Sequence, residues 1–260
     1  MTLPSQYTTQ FQAGLGLIEE TKILLDLWKP GQNPTALHQA ALESGRFPNM
    51  TARRVRNVVA EGFAPRYLVS QGTPAEHLNA LKASLSSEEL VQLFFLFTAR
   101  AHAILRDFVS QVYWDRYTAG YSEIPPTEAR AFVQRAIDNG RTKKRWSEST
   151  VRRVSAYLIG CCADFGLLSG RSRSIRKMQS FRICAKVAAY LAYELHCQGL
   201  GDQAVIAHPD WQMFGLLRSD VLEEFRRLSL QGFLIIQAGG NITRISWKFP
   251  TMEDLLHVLA

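Results

Sequence analysis

The chain is poor in features that would cross-link it or carry it into a membrane. Of its 260 residues four are cysteine: Cys161, Cys162, Cys184 and Cys197. No two have CxxC spacing, and a disulfide framework is not expected in a chain of this size without an export signal. A zinc set of Cys184, His196, Cys197 and His208 can be drawn, but its spacing matches no common ligand pattern. The thiols therefore read as small apolar packing groups, and no metal or other cofactor is expected. The most apolar run, Leu90 to Ala99, stops at Arg100, about half of the roughly 20 residues a spanning helix needs. The opening residues, MTLPSQYTTQ, show neither a charged nor an apolar signal region. Together these absences indicate a reducing cytoplasm and no membrane. No GxxxxGK(S/T) phosphate loop, HExxH helix or GxSxG elbow is present. The six histidines are scattered, and His208-Pro209-Asp210 reads as a loop turn, so no enzymatic activity is expected.

Surplus positive charge is also missing from nearly all of the chain. Arg141 to Arg182 carries eleven Lys/Arg against Glu148 and Asp164, a local charge of +9, whereas the whole chain is only +7. The remaining residues hold 19 basic and 21 acidic side chains, a net −2. Charge confined to one region is an electrostatic footprint for an acidic partner such as nucleic acid. An apolar fraction of 47% with 20% charged residues is ordinary globular composition.

Most of the first half reads as helix. Ala13 to Trp28 has apolar residues at helical spacing and stops before Pro30; Pro34 to Ser44 follows, closed by Gly45. Thr51 is a fitting N-cap for Ala52 to Glu61, with Gly62 behind it. That third helix sets Val55 and Val59 on one side and Arg53, Arg54 and Asn57 on the other, a helix-turn-helix pattern or simply a solvated basic face. Pro74 to Leu85 continues helical. Ser86 and Glu89 form a capping box that opens a long helix running to Val112. Its aromatics, with Phe94, Phe95, Phe97 and Phe108 among them, sit beside Leu and Val and read as core. The Gly/Pro-containing stretch Thr118 to Pro126 marks a domain boundary, after which Thr127 caps a helix ending at Asn139-Gly140.

Next comes the basic segment. Glu128 to Asn139 reads as a supporting helix and Arg141 to Ser147, with Lys143, Lys144 and Arg145, as a basic turn. Glu148 to Asp164, N-capped by Ser147, reads as a recognition helix. Val151, Val154, Leu158, Cys161 and Phe165 form its buried stripe, while Ser149, Arg152, Arg153 and Ala156 lie opposite. Gly166-Leu167-Leu168 leaves as a strand. Ser169 to Ser174, with Arg171 and Arg173, forms a wing tip, and Arg176, Lys177 and Arg182 lie on the returning arm. This is the order of a winged helix, in which arginines serve phosphate and minor-groove contacts. The C-terminal stretch repeats the layout with less charge. Ser219 to Leu230 is amphipathic and leads into FLIIQAGGNITRISWKF, where Gly239-Gly240-Asn241 turns a hairpin. Glu223 and Glu224 beside Arg226 and Arg227 fit a structural or protein-contacting role for this unit.

The expected fold class is mainly α. An N-terminal helical, helix-turn-helix-like bundle covers residues 1–122, with the motif in helices 13–62. Winged-helix-like units with short β-hairpins cover 123–260, the basic one at 127–183 and a second helix–hairpin at 185–249.

Three stretches, FTARAHAILRDFVSQVY, RWSESTVRRVSAYLIGCCADFGLL and ISWKFPTMEDLLHVL, resemble the BrxA family of BREX phage-exclusion systems in the same order along nearly the whole chain. The resemblance implies a helical, non-enzymatic accessory protein that binds double-stranded DNA. It also implies work beside a methyltransferase, an ATPase, a phosphatase-like protein and other BREX components, and it supplies no catalytic residues. The family has carried an inner-membrane label that nothing in these residues supports. The alternative is an assembly scaffold whose basic surface docks an acidic partner protein.

Overall fold

In the computed structural model, residues 6–9, 16–169, 175–239 and 242–260 are described, and the chain is mainly helical with a few short antiparallel strand pairs. These residues fall into two compact units, Met1–Asn79 with Phe94–Phe181, and Ala80–Leu93 with Arg182–Ala260. The Gly/Pro stretch at Thr118 to Pro126 lies inside the first.

In the first unit, helix α1 (Ile18–Leu27) ends before Pro30. Helix α2 (Pro34–Glu43) starts where Asn33 accepts the Ala36 amide at 2.9 Å, with proline at the first helical position, where its missing N–H costs nothing. Thr51 caps α3 (Ala52–Asn57) by accepting the Arg54 amide at 3.3 Å. Gly62 does not stop this helix, as the sequence suggested. The chain continues through a π-helical turn, Val58–Phe63, into α4 (Ala64–Tyr67). The glycine serves close packing instead, since a Cβ there would come within 2.5 Å of Leu17 Cδ1.

Helix α5 (Thr73–Leu81) precedes α6 (Ser87–Ala101). The capping box that opens α6 is present, Ser86 N donating to Glu89 at 2.8 Å and Glu89 N to Ser86 Oγ at 3.2 Å. The helix then stops short of the expected Val112. His102 leaves helical geometry (φ −125, ψ 89), and α7 (Ala103–Phe108), a π-helical turn at Val109–Tyr113 and α8 (Trp114–Thr118) follow. Phe94, Phe95 and Phe108 are fully buried, with Phe95 5.5 Å from Phe165 and Phe108 5.5 Å from Phe132. Burying each such ring contributes about 1.5–3 kcal/mol.

Strand β1 (Glu123–Ile124) leads into α9 (Pro126–Asp138), α10 (Glu148–Asp164), β2 (Leu168–Ser169) and β3 (Arg176–Met178). Thr127 is not the cap of α9; Pro125 holds that position without a side-chain bond, and Pro126 supplies the first turn. The three strands form an antiparallel sheet in the order β1-β3-β2, with Glu123 opposite Lys177 and Leu168 opposite Met178. The Tyr113 hydroxyl reaches both later arms, 2.9 Å from the Leu167 carbonyl and 3.0 Å from that of Gln179.

The second unit contains α11 (Ala185–Cys197), α12 (Asp202–Ile206), α13 (Arg218–Leu230), the hairpin β4 (Leu234–Gly239) with β5 (Ile242–Trp247), and α14 (Met252–Leu259). Two side chains hold the hairpin in place. The Asp202 carboxylate accepts from Ile245 N at 2.9 Å and Trp247 Nε1 at 3.2 Å. The Tyr193 hydroxyl donates to Phe233 O at 2.5 Å and accepts from Lys248 N at 2.9 Å. The turn residues Gly240 and Asn241 lie outside the described residues. No helix among those described is long and apolar enough to cross a membrane.

Candidate nucleic-acid interface

Helix α10 presents cations because its two faces differ in chemistry. Val154, Leu158 and Cys161 are fully buried and Val151 nearly so, whereas Ser149, Arg152, Arg153 and Ala156 are exposed. At its start the Ser147 hydroxyl accepts the Thr150 amide at 3.4 Å and lies 3.0 Å from the hydroxyls of Ser149 and Thr150. The uncapped amides of that first turn and the positive end of the helix dipole favour an anion.

Lys143, Lys144, Arg145, Trp146 and Arg153 line an open groove of about 570 Å³ at this end of the helix, together with Tyr7, Thr8 and Thr9 and with no carboxylate in its lining. The three cations of the turn are exposed. No ion pair among the described residues engages them or Arg153. Four cations, without carboxylate partners among the described residues, therefore gather beside the N-terminus of a helix.

Arg141, expected among them, faces the interior. Its guanidinium donates to Asp107 Oδ2 at 2.8 Å and lies 4.5 Å above the Tyr7 ring. Tyr7 donates its hydroxyl to the same oxygen at 2.8 Å, and Arg106 Nε donates to Oδ1 at 3.0 Å. Burial, with the Asp107 hydrogen bond second, pushes the Tyr7 hydroxyl well above the ordinary phenol range, so it remains a donor. The Tyr7 amide also donates to Arg141 O at 2.7 Å, beside a parallel bridge from Tyr7 to Thr142. Arg141 thus anchors the basic turn from below.

Arg152 turns to the other side of α10, into a cleft of about 330 Å³ that it lines with Arg176 of β3 and Arg130 of α9. Lys177 is exposed on β3. Arg171 and Arg173 lie outside the described residues. Arg53 is exposed, while Arg54 and Asn57 are half-buried. Arg54 lines a hollow that also holds Glu19, Glu20 and Asp164. Asp164 closes α10, so this hollow and the basic groove are separated by the helix length, about 24 Å for 17 residues. Arg54 is therefore not brought together with Lys143–Arg145, and its surroundings are acidic.

Arg130, Trp146 and the Tyr7–Thr8 segment were not singled out by the sequence. Helical periodicity could have found Arg130, which is exposed beside the buried stripe Ala129, Phe132, Val133; nothing local could have placed Tyr7 against residue 141. Arg182 belongs to the second unit, where it sits 3.9 Å from Glu224. That unit holds 8 basic and 10 acidic side chains, a net −2, against 22 and 13 in the first, a net +9. The adjacent thiols are unsuited to nucleophilic chemistry: burial pushes Cys162 up to about 12 and raises Cys161 well above the usual thiol range. His196 of the drawn zinc set is stacked on Trp247 at 4.2 Å.

The pattern of the BrxA family matches residues 5–194. No curated protein matches at a significant level. Among solved structures, the crystal structure of an uncharacterized protein from Magnetospirillum magneticum is similar, with a TM-score of 0.57 and 17% identity, covering 78% of this chain and 98% of that one. At that identity the likeness concerns the fold alone.

Proposed function

The chain belongs to the BrxA family, and from that premise we propose that it is a non-enzymatic, double-stranded-DNA-binding accessory protein of a BREX phage-defence system. It holds duplex mainly through phosphate contacts, in the cytoplasm, beside the system's methyltransferase, ATPase and phosphatase-like protein. The observation that carries this reading is the groove at the start of α10, where Lys143, Lys144, Arg145 and Arg153 gather without a carboxylate. The order β1, α9, α10, β2, β3, with the sheet order β1-β3-β2, supports reading this unit as a winged helix with α10 as its recognition helix.

Seven cations line the groove and the cleft, Arg130, Lys143, Lys144, Arg145, Arg152, Arg153 and Arg176, and Lys177 is exposed beside them on β3. With six to eight phosphates neutralised, log K should fall against log salt with a slope of about −5 to −7. Anisotropy of a labelled duplex across a salt series measures it, with specific and random sequences compared. Absence of binding at low salt overturns the reading.

A second reading is an assembly scaffold whose basic surface docks an acidic partner protein. It draws on the same carboxylate-free basic groove; the second unit, which has no positive surplus, adds exposed Leu217, Ile235 and Leu230, the last 89% accessible, as further protein-contacting surface. It predicts co-purification with defence proteins that survives nuclease treatment, together with negligible affinity for free duplex.

A further inference from the structure

Trp146 differs from every other tryptophan of the chain. The sequence holds five, and neighbours fix the other four. Trp28 donates its Nε1–H to Gln32 O at 3.1 Å, and Trp211 donates to Val205 O at 2.8 Å. Trp114 packs edge-on against Tyr113 and Tyr117. Trp247 stacks on His196 and donates to Asp202. Trp146 is half-buried, and among the described residues it has no hydrogen bond, no aromatic neighbour and no cation over its ring. It lines the basic groove at the start of α10, directly before the cap Ser147.

Its position has a structural use that does not require an indole. The residue before a helix cap can pack on the fourth helical residue, here Val151, which is buried. Leucine serves that purpose as well as tryptophan. What tryptophan adds is a broad flat face, and a large aromatic among exposed cations is the composition of a nucleobase platform rather than of a core. Lys143, Lys144 and Arg145 precede it in the chain, and Arg153 lines the same groove. Thr8 and Thr9, both exposed, also line it with hydroxyl groups. At about 570 Å³ the groove falls within the roughly 300–1,000 Å³ of sites that take small organic ligands, which is room for a nucleotide. Bases inside a duplex offer no face to such a ring, because each is covered by the pairs above and below. A base in a single strand, at a gap or at a frayed end is uncovered.

We propose that Trp146 stacks on an unpaired nucleobase, and that the groove thereby receives duplex DNA where it borders a single-stranded segment. The inference rests on the nucleic-acid reading of this groove and narrows it: cations alone hold any duplex, whereas the ring selects DNA with an uncovered base. Stacking accepts every base, so the preference is for strand structure and not for sequence.

The test uses the full chain and three labelled DNAs: a blunt duplex, the same duplex with a short thymidine flank, and the same duplex with an abasic flank of equal length. The two flanks carry the same phosphates, so counterion release is alike for both and only the bases differ. The native protein is expected to bind the thymidine flank about 5- to 150-fold more tightly than the abasic one, the range for stacking one base on an aromatic side chain. That ratio should hold across the salt series. Trp146→Leu keeps an apolar group before the cap, is expected to melt as native and loses the ratio; Trp146→Phe, with a smaller face, retains part of it. Equal binding of the two flanks by the native protein overturns the proposal without recourse to a variant, as does a ratio that survives in Trp146→Leu. Blunt duplex bound with a steep salt slope leaves the DNA-binding reading standing in either case. Flank discrimination that depends on Trp146, without binding of blunt duplex at low salt, keeps the platform and overturns the duplex reading in favour of single strands. If the native protein binds none of the three DNAs at low salt, both readings fall.

Discussion

Replacing Lys143, Lys144 and Arg145 together by alanine should change DNA affinity strongly and stability hardly at all. The three side chains are exposed, and no ion pair among the described residues involves them. Truncating them removes no buried contact, so the effect on unfolding should stay within about 0.5 kcal/mol. Duplex binding is a different matter. If each contacts one phosphate, three lost contacts reduce the salt slope by about 2.7, and at about 0.1 M salt the affinity falls by roughly 10^2.7, or about 500-fold, equivalent to nearly 4 kcal/mol. The assay is anisotropy of one labelled duplex at several salt concentrations, with melting curves recorded on the same samples. Arg46→Ala serves as control, because Arg46 is an exposed cation already paired with Asp26 at 3.0 Å, and it should leave the slope unchanged. A triple variant that melts normally and retains the native slope would refute the assignment of this groove to phosphate.

Arg152→Ala with Arg153→Ala should weaken binding by about 1–3 kcal/mol and narrow the gap between preferred and random duplexes if either arginine reads a base edge; equal losses on both sequences would restrict them to the backbone. Asp107→Ala should cost about 2–3 kcal/mol in urea unfolding, below the range for breaking a fully buried pair because Arg141 keeps 24% exposure; an unchanged midpoint would show that the Tyr7–Arg141 anchor contributes little. His102 is held down to about 3, by burial first and the Arg66 charge second. The unfolded chain takes up its proton at about 6.5, so between these values it binds more protons than the folded one, and stability present above about 6.5 is lost progressively as pH falls. His102→Gln should flatten that part of the profile, and a profile identical to native would remove His102 as its cause.

Helix α10 was legible to the residue. Ser147 before it, Gly166 behind it and a single apolar stripe all act within a few residues of the helix they define. The break at His102 was invisible because Ala101-His102-Ala103 contains neither glycine nor proline, and apolar spacing continues on both sides. The π-helical turns were hidden for a related reason: one extra residue in a helix leaves no compositional trace. Gly62 misled because glycine serves two ends, stopping helices and permitting close approach, and only Leu17 in three dimensions distinguishes them. Arg141 was read as a surface cation because its partners, Asp107 and Tyr7, are 34 and 134 positions away. The pairing of 80–93 with 182–260 in one compact unit is equally non-local; Gln92 bonded to Arg182 O and Cys184 N at 2.8 Å is one of the links.

The bridge from Tyr7 to Thr142 also bears on how the protein is made. At about 5–20 residues per second, Tyr7 leaves the ribosome roughly 7–27 s before the residue it pairs with. Asp164, which accepts the Gly16 amide at 2.8 Å, comes later still. The earliest residues must therefore wait, unpaired, while most of the first unit is synthesised, and such distant closures are slow to form. Because the groove takes its walls from both Thr8 and Arg153, no ribosome-bound fragment lacking the second can have it. The groove is thus a late product of translation, and if it holds duplex as proposed, a nascent chain gains that surface only once residues 8 and 153 have come together.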